Sequence, residues 1–90
     1  MKLIDLINSL ENINDDLIIF QEQIDNFDSD IMLFFAEDGG EKEYEGKKYY
    51  YLIEVFLAKE FIQDWVSTLD YRPSSLDIAK RLYNYATNDA

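Results

Sequence analysis

The 90-residue sequence contains no histidine and no cysteine, and it has one proline and three glycines. Without histidine and cysteine, the chain cannot build a Ser-His-Asp or Cys-His catalytic arrangement. It also cannot supply the nitrogen and sulfur ligands of the usual zinc sites. Disulfide bonds are excluded, so nothing suggests secretion into an oxidising compartment. We expect no cofactor, no structural metal and no enzymatic activity.

Basic residues are also few, with eight lysines and arginines against nineteen acids. Such a balance disfavours direct binding to nucleic acid or to an anionic membrane surface. Gly39-Gly40 is followed by acids that would repel a phosphate, so it does not resemble a phosphate-binding loop. No apolar run approaches the roughly 18 residues of a membrane-spanning helix. The opening MKLIDLINSL lacks the features of a signal peptide, and the default expectation is a cytoplasmic protein.

The sequence is nevertheless rich in apolar residues, which make up 48% of the chain, with 16% aromatic. This is too much for a disordered protein, and aromatic side chains supply a large buried area per residue. The length corresponds to one domain, residues 1–90. The sequence therefore predicts a single small globular domain.

Periodicity predicts an α+β fold with the order α-β-β-β-α-α and a small, mostly antiparallel, three-stranded sheet. The segment 21–30 is polar, with Ile24 and Phe27 expected to tether it to the core. Ser74 and Asp77 resemble a helix-capping pair. The predicted elements are helix 2–11, strands 17–20, 31–36 and 48–55, helix 56–69, and a last helix that follows Ser74.

The two C-terminal helices have apolar stripes that predict which side chains are buried. Trp65 lies in the middle of the stripe of helix 56–69, so we expect it to be buried and its truncation to be damaging. Leu76 begins the predicted inner stripe of the last helix. That stripe comprises Leu76, Ala79, Leu82, Tyr83 and Ala86.

The sequence does not favour either of two kinds of carboxylate chemistry. A glycosidase needs a pair of positioned carboxylates and a sugar cleft, but nineteen acids produce many accidental pairs in a domain this small. A calcium-binding EF-hand loop beginning at Asp28 fits at its first and third positions. It fails at the fifth and sixth, which are Met32 and Leu33 instead of an acid and a glycine. Weak, opportunistic calcium binding is the remaining alternative.

The acidic residues are unevenly distributed along the chain. Residues 1–46 hold thirteen acids and two bases, a net charge of −11, whereas residues 47–90 hold six of each. Solubility alone is one explanation for such a charge. The alternative is a surface that attracts a basic protein, since a field of this sign steers basic partners.

The stretch AEDGGEKEYEG, residues 36–46, contains five carboxylates around one tyrosine. Tyr44 suits a protein interface because its ring is rigid and carries a hydroxyl group, while the carboxylates would speed association with a basic partner. A solvated hairpin tip is the alternative. The predicted partner-binding residues are Asp25, Asp28, Asp30, Glu37, Asp38, Glu41, Glu43, Tyr44 and Glu45.

The segments YYYLIEVFLAKEFIQDW, RP and AKRLYNYATNDA resemble a family of short, uncharacterised bacterial proteins. The resemblance covers about Tyr50 to Ala90 and includes the ending formed by Tyr85, Ala86, Asn88, Asp89 and Ala90. It implies a small stand-alone cytoplasmic protein and assigns no catalytic residue. Some acidic proteins of this size resemble toxin-immunity partners, a likeness that is analogy only.

Three functions from different classes are therefore expected. The first is a non-catalytic inhibitor or immunity-type protein that masks a basic surface on a toxin or nuclease. The second is a housekeeping interaction domain that docks through its helical half, where Trp65 or the terminal Asn-Asp-Ala would make contact. The third is a mimic of nucleic-acid charge that occupies a DNA-binding protein.

Overall fold

The structure, a computed structural model, describes residues 1–35 and 41–88 and confirms the α+β class. Its sheet has four antiparallel strands in the order β2-β1-β4-β3, so the expectation of three strands was wrong. A short 3₁₀ helix, Leu10–Asn12, follows the first helix. The elements are α1 Leu3–Ile7, β1 Leu17–Gln21, β2 Ile31–Phe35, β3 Glu41–Tyr44, β4 Lys47–Glu54, α2 Val55–Ser67 and α3 Ser75–Asn88.

The strand that sequence reasoning missed is β3, which forms a tight hairpin with β4. Tyr44 pairs with Lys47 across a two-residue turn, Glu45-Gly46. Both turn residues have positive φ angles, 51° and 79°, as type I′ hairpin turns require. The Glu-Gly pair is the signal that could have located the turn. β3 is an edge strand that is not buried on both faces, so it tolerates charged residues. It therefore lacks the apolar pattern from which a strand is predicted.

The central strands β1 and β4 carry most of the core residues of the sheet. Their pairing is interrupted by a β-bulge: Ile19 pairs with Ile53 and Phe20 pairs with Tyr51, so that Leu52 of β4 has no partner residue in β1. This bulge allows both Leu52 and Ile53 to be buried in the same core.

One face of the sheet and the helices enclose the main hydrophobic core. Leu3 and Leu6 of α1 and Leu82 of α3 are fully buried against the sheet residues Ile19 and Ile53. Burial of a Leu or Ile side chain stabilises a protein by about 1.5–3 kcal/mol relative to exposure. The core is therefore built by residues from both halves of the chain.

The opposite face of the sheet holds a smaller apolar cluster. Ile18, Phe20 and Tyr49 are buried there, with Met32 and Phe34 partly buried beside them. The ring of Phe20 meets that of Phe34 edge-on, with centroids 5.4 Å apart. These side chains point away from the helices because residues alternate between the two faces along a strand.

The bounds of α2 and the start of α3 agree with prediction within one or two residues, whereas the bounds of α1 do not. The hydroxyl oxygen of Ser74 accepts a hydrogen bond from the backbone N–H of Asp77 at 3.1 Å, which confirms the predicted cap. Helix 2–11 was predicted as one element, whereas α1 ends at Ile7 and a 3₁₀ turn follows. The break at Asn8 and Ser9 is consistent with their low helix propensity.

The expected burial of Leu76 was wrong, because this side chain is 41% exposed. The buried stripe of α3 is formed by Ile78, Ala79, Leu82 and Ala86 instead. Leu76 lies to one side of that stripe when the residues are placed at 3.6 per turn. Ser75, one full turn before Ala79, occupies the inward position at the start of the helix.

Candidate protein-binding surface

The two acidic segments of the first half of the chain meet at one end of the sheet. The loop 22–30 leaves β1 after Gln21, which pairs with Tyr50 of β4. The β3–β4 hairpin extends beyond that same level. Lys47 Nζ of the hairpin lies 3.9 Å from Glu22 Oε2 at the start of the loop. The fold thus brings together Glu22 and Lys47, which are 25 positions apart in the sequence.

The loop 22–30 is held by side-chain hydrogen bonds. The buried Gln21 amide donates to the backbone oxygens of Asn26 and Phe27, at 3.1 and 3.2 Å. The Ser29 hydroxyl group accepts from the backbone N–H of Gln23 and donates to the Gln23 carbonyl oxygen. Sequence reasoning missed both residues, since a glutamine that follows an apolar strand gives no sign of burial.

The predicted apolar tethers of this loop behave differently from each other. Phe27 packs against the core, and its ring meets the ring of Tyr83 with centroids 5.5 Å apart. The side chain of Ile24 is 36% exposed, so its expected role as an apolar tether was wrong. Its backbone carbonyl oxygen instead accepts a hydrogen bond from the Tyr83 hydroxyl group at 2.8 Å.

Within this loop, Asp25 and Asp28 are exposed, whereas Asp30 is engaged in ion pairs. Asp30 Oδ1 lies 3.1 Å from Lys2 Nζ and 3.8 Å from the N-terminal nitrogen. The hydrogen bond and positive charge of Lys2 hold the pKa of Asp30 below its usual value. Asp25 and Asp28 are therefore more accessible to a partner than Asp30.

On the hairpin, Glu41, Glu43, Tyr44 and Glu45 are all exposed. Lysines lie directly across the ladder from two of them, since Glu43 pairs with Lys48 and Tyr44 pairs with Lys47. With Lys42 included, the segment 41–48 holds three acids and three lysines. The hairpin is consequently a surface of alternating charge, although the segment up to residue 46 is strongly acidic in the linear sequence.

Tyr44 is 45% exposed at the end of β3, next to the turn. The positive-φ residues Glu45 and Gly46 define the geometry of that turn. An exposed aromatic side chain on a paired strand loses little entropy when it enters an interface. Glu37 and Asp38, which were also predicted to bind the partner, lie outside the described residues.

The side chains of residues 1–35 and 41–88 include no group of three or more acidic residues arranged to hold a metal ion. Nor does that part of the chain contain a helix that is long and apolar enough to cross a membrane.

Trp65 is placed differently from the expectation drawn from the stripe of α2. The buried residues of this helix are Val55 and Ala58. Phe61 and Ile62 pack against the edge of the core, whereas Trp65 is half-buried and lies outside it. The expectation of a fully buried Trp65 was therefore wrong. The physical reason is that the core ends near Ile62 while the helix continues to Ser67.

No protein-family model matches this chain, and neither the search of curated proteins nor the search of solved structures finds a match.

Proposed function

We propose that this protein is a non-catalytic protein-binding module that recognises a basic protein. Its function would be of the inhibitor or immunity type, in which a basic surface on a toxin or nuclease is masked. The observation that carries the proposal is the meeting of the loop 22–30 and the β3–β4 hairpin at one end of the sheet. Asp25, Asp28 and the hairpin acids are exposed at that end, and so is Tyr44, which lies on the face of β3 opposite Glu41 and Glu43.

The net charge of −11 supports a basic partner, because a field of one sign accelerates encounter with a surface of the opposite sign. The exposed ring of Tyr44 provides the contact anchor. The lysines of the hairpin favour a partner that is predominantly basic but presents acids opposite Lys47 and Lys48. Such an arrangement would select one partner over basic proteins in general.

The partner is first identified by capture from the native host and mass spectrometry. Association is then measured by stopped-flow kinetics at two ionic strengths with the variant Glu41→Gln, Glu43→Gln, Glu45→Gln. We expect slower association and a weaker salt dependence, since rim charges act mainly on encounter. Tyr44→Ala should instead raise the dissociation rate and leave the salt dependence nearly unchanged.

The matched control is Glu11→Gln, Asp16→Asn, Asp70→Asn, which removes the same charge at three exposed positions outside the hairpin and the loop 22–30. It should slow association much less than the hairpin variant. Equal effects of the two triple variants would mean that only the net charge matters. Unchanged rates for the hairpin variant at both ionic strengths would exclude the hairpin as the docking site.

A further inference from the structure

A groove of about 530 Å³ lies between α2 and α3, on the helical part of the protein. Phe61 and Trp65 of α2 and Tyr85 of α3 line it with aromatic surface. Glu60 and Asp64 of α2 provide two carboxylates on the same lining. The groove is separate from the hairpin surface, and its size falls within the range of about 300–1,000 Å³ that is typical of ligand pockets.

In the aromatic lining, the ring of Trp65 already forms a cation–π contact with Arg81. The guanidinium carbon of Arg81 lies 5.7 Å from the centroid of Trp65. This distance is within the limit of about 6 Å for an attractive cation–π contact. Beside it, the rings of Phe61 and Tyr85 are stacked 4.2 Å apart and nearly parallel, which connects the two helices. The groove therefore has an ordered wall and a ring face suited to guanidinium.

The charges of the lining favour additional positive charge. Glu60 and Asp64 are exposed and lie one turn apart on α2. Among residues 1–35 and 41–88, neither carboxylate forms an ion pair, and Arg81 is not paired with either of them. Arg81 is thus the single base against two acids in a lining that also contains Trp65.

We propose that this groove binds an arginine-bearing segment of another protein. The arginine of that segment stacks on the Trp65 ring, where the protein's own Arg81 now lies, and Glu60 and Asp64 contact its guanidinium group. Arginine fits better than lysine, because a planar guanidinium both stacks on an indole and pairs with carboxylates. Arg81 competes with the incoming arginine and lowers its apparent affinity.

Trp65 is the only tryptophan in the chain, so its fluorescence reports directly on the groove. The probes are a short fluorescein-labelled peptide of Ala, Leu and Arg and a matched peptide in which each Arg is replaced by Glu. Unlabelled Arg peptide should change the emission of Trp65 in a saturable manner, whereas the Glu peptide should leave it unchanged. Anisotropy of the labelled peptides gives the affinities for each variant.

Arg81→Gln distinguishes competition from a purely structural contact. If Arg81 occupies the position of the incoming arginine, its removal should tighten binding of the Arg peptide by about fivefold, the upper range for an exposed cation–π contact. Lys80→Gln is the matched control, because it removes the same charge from the neighbouring exposed residue, which does not line the groove. It should change the affinity by less than about twofold, as expected of an exposed charge outside the groove.

Trp65→Leu and the pair Glu60→Gln, Asp64→Asn should each weaken binding of the Arg peptide by about three- to fivefold. Circular dichroism establishes that each variant is folded. Equal binding of the Arg and Glu peptides would overturn the inference, as would an affinity that Trp65→Leu does not change. Arg81→Gln behaving like Lys80→Gln would also overturn it. The inference is independent of the hairpin proposal and is tested separately from it. The variant Glu41→Gln, Glu43→Gln, Glu45→Gln should bind the Arg peptide within about twofold of the unmodified protein, because none of its substitutions lines the groove.

Discussion

At the residue scale, similar apolar side chains in the same helical half have different structural roles. Leu82 of α3 is fully buried in the core, whereas Trp65 of α2 is half-buried beneath Arg81. Apolar periodicity alone predicts that both residues are buried. Whether an apolar residue of a helix is buried depends on how far the neighbouring helices and strands extend along that helix. Periodicity carries no information about this extent.

The difference between Leu82 and Trp65 leads to a prediction about stability. Leu82→Ala should lower the free energy of unfolding by about 2–5 kcal/mol, because it leaves a cavity in the core. Trp65→Ala should lower it by less, about 1–2 kcal/mol, because Trp65 is only partly buried and lies outside the core cluster. Urea denaturation followed by circular dichroism measures both values.

The relative size of these two losses is the informative quantity. A loss for Trp65→Ala that equals the loss for Leu82→Ala would show that Trp65 belongs to the core in solution. Arg81→Gln serves as the companion variant, because it removes the cation and keeps the indole ring in place. Its loss should not exceed that of Trp65→Ala.

At the scale of elements, the β3–β4 hairpin depends on two backbone conformations. Gly46 has a φ of 79°, and a β-carbon added there would meet no atom within 4 Å. Gly46→Ala should therefore destabilise the protein only through its backbone conformation, by about 1–2 kcal/mol. Thermal unfolding followed by circular dichroism measures the change.

Glu45 occupies the other positive-φ position of the same turn, with a φ of 51°. Asparagine is favoured at this position in type I′ turns. Glu45→Asn should raise the free energy of unfolding by up to about 1 kcal/mol, the scale of the left-handed backbone penalty that it relieves. Glu45→Gln removes the same charge without the conformational preference and should have a smaller effect. Equal effects of Asn and Gln would assign the gain to charge alone.

Much of the element order could be read from the sequence, because α2, α3, β1, β2 and β4 have clear periodicity or compact apolar runs. β3 could not be read in the same way, because its four residues are Glu, Lys, Glu and Tyr. Its stability as a strand comes from pairing with β4 and from the turn at Glu45-Gly46. Strand pairing is a non-local interaction, and local composition predicts it poorly.

At the scale of the whole molecule, the dominant property is a net charge of −11. Repulsion among these charges opposes the compact state, and salt reduces it. The Debye length falls from about 30 Å at 0.01 M to about 3 Å at 1 M ionic strength. Sodium chloride at pH 7 should therefore raise the melting temperature, by roughly 4–8 °C for each kcal/mol gained in a domain of this size.

The control for this prediction is the same salt series near pH 4, close to the sequence isoelectric point of about 4.1. The net charge is small there, so the stabilisation by salt should largely disappear. Melting temperatures that do not change with salt at pH 7 would indicate that the charges are too dispersed to affect folding.

The sequence by itself determined the α+β fold class and excluded chemistry that depends on histidine or cysteine. The absence of histidine and cysteine, the apolar periodicity and the acidic first half are properties of composition and local order, and they required no tertiary contact. The tertiary structure alone placed the loop 22–30 beside the hairpin, set Lys48 across from Glu43 and left Trp65 at a groove between two helices. Each of these outcomes joins residues that are separated in the chain or depends on where the core ends. Such outcomes are decided by strand register and helix packing, which a local pattern of residues does not specify.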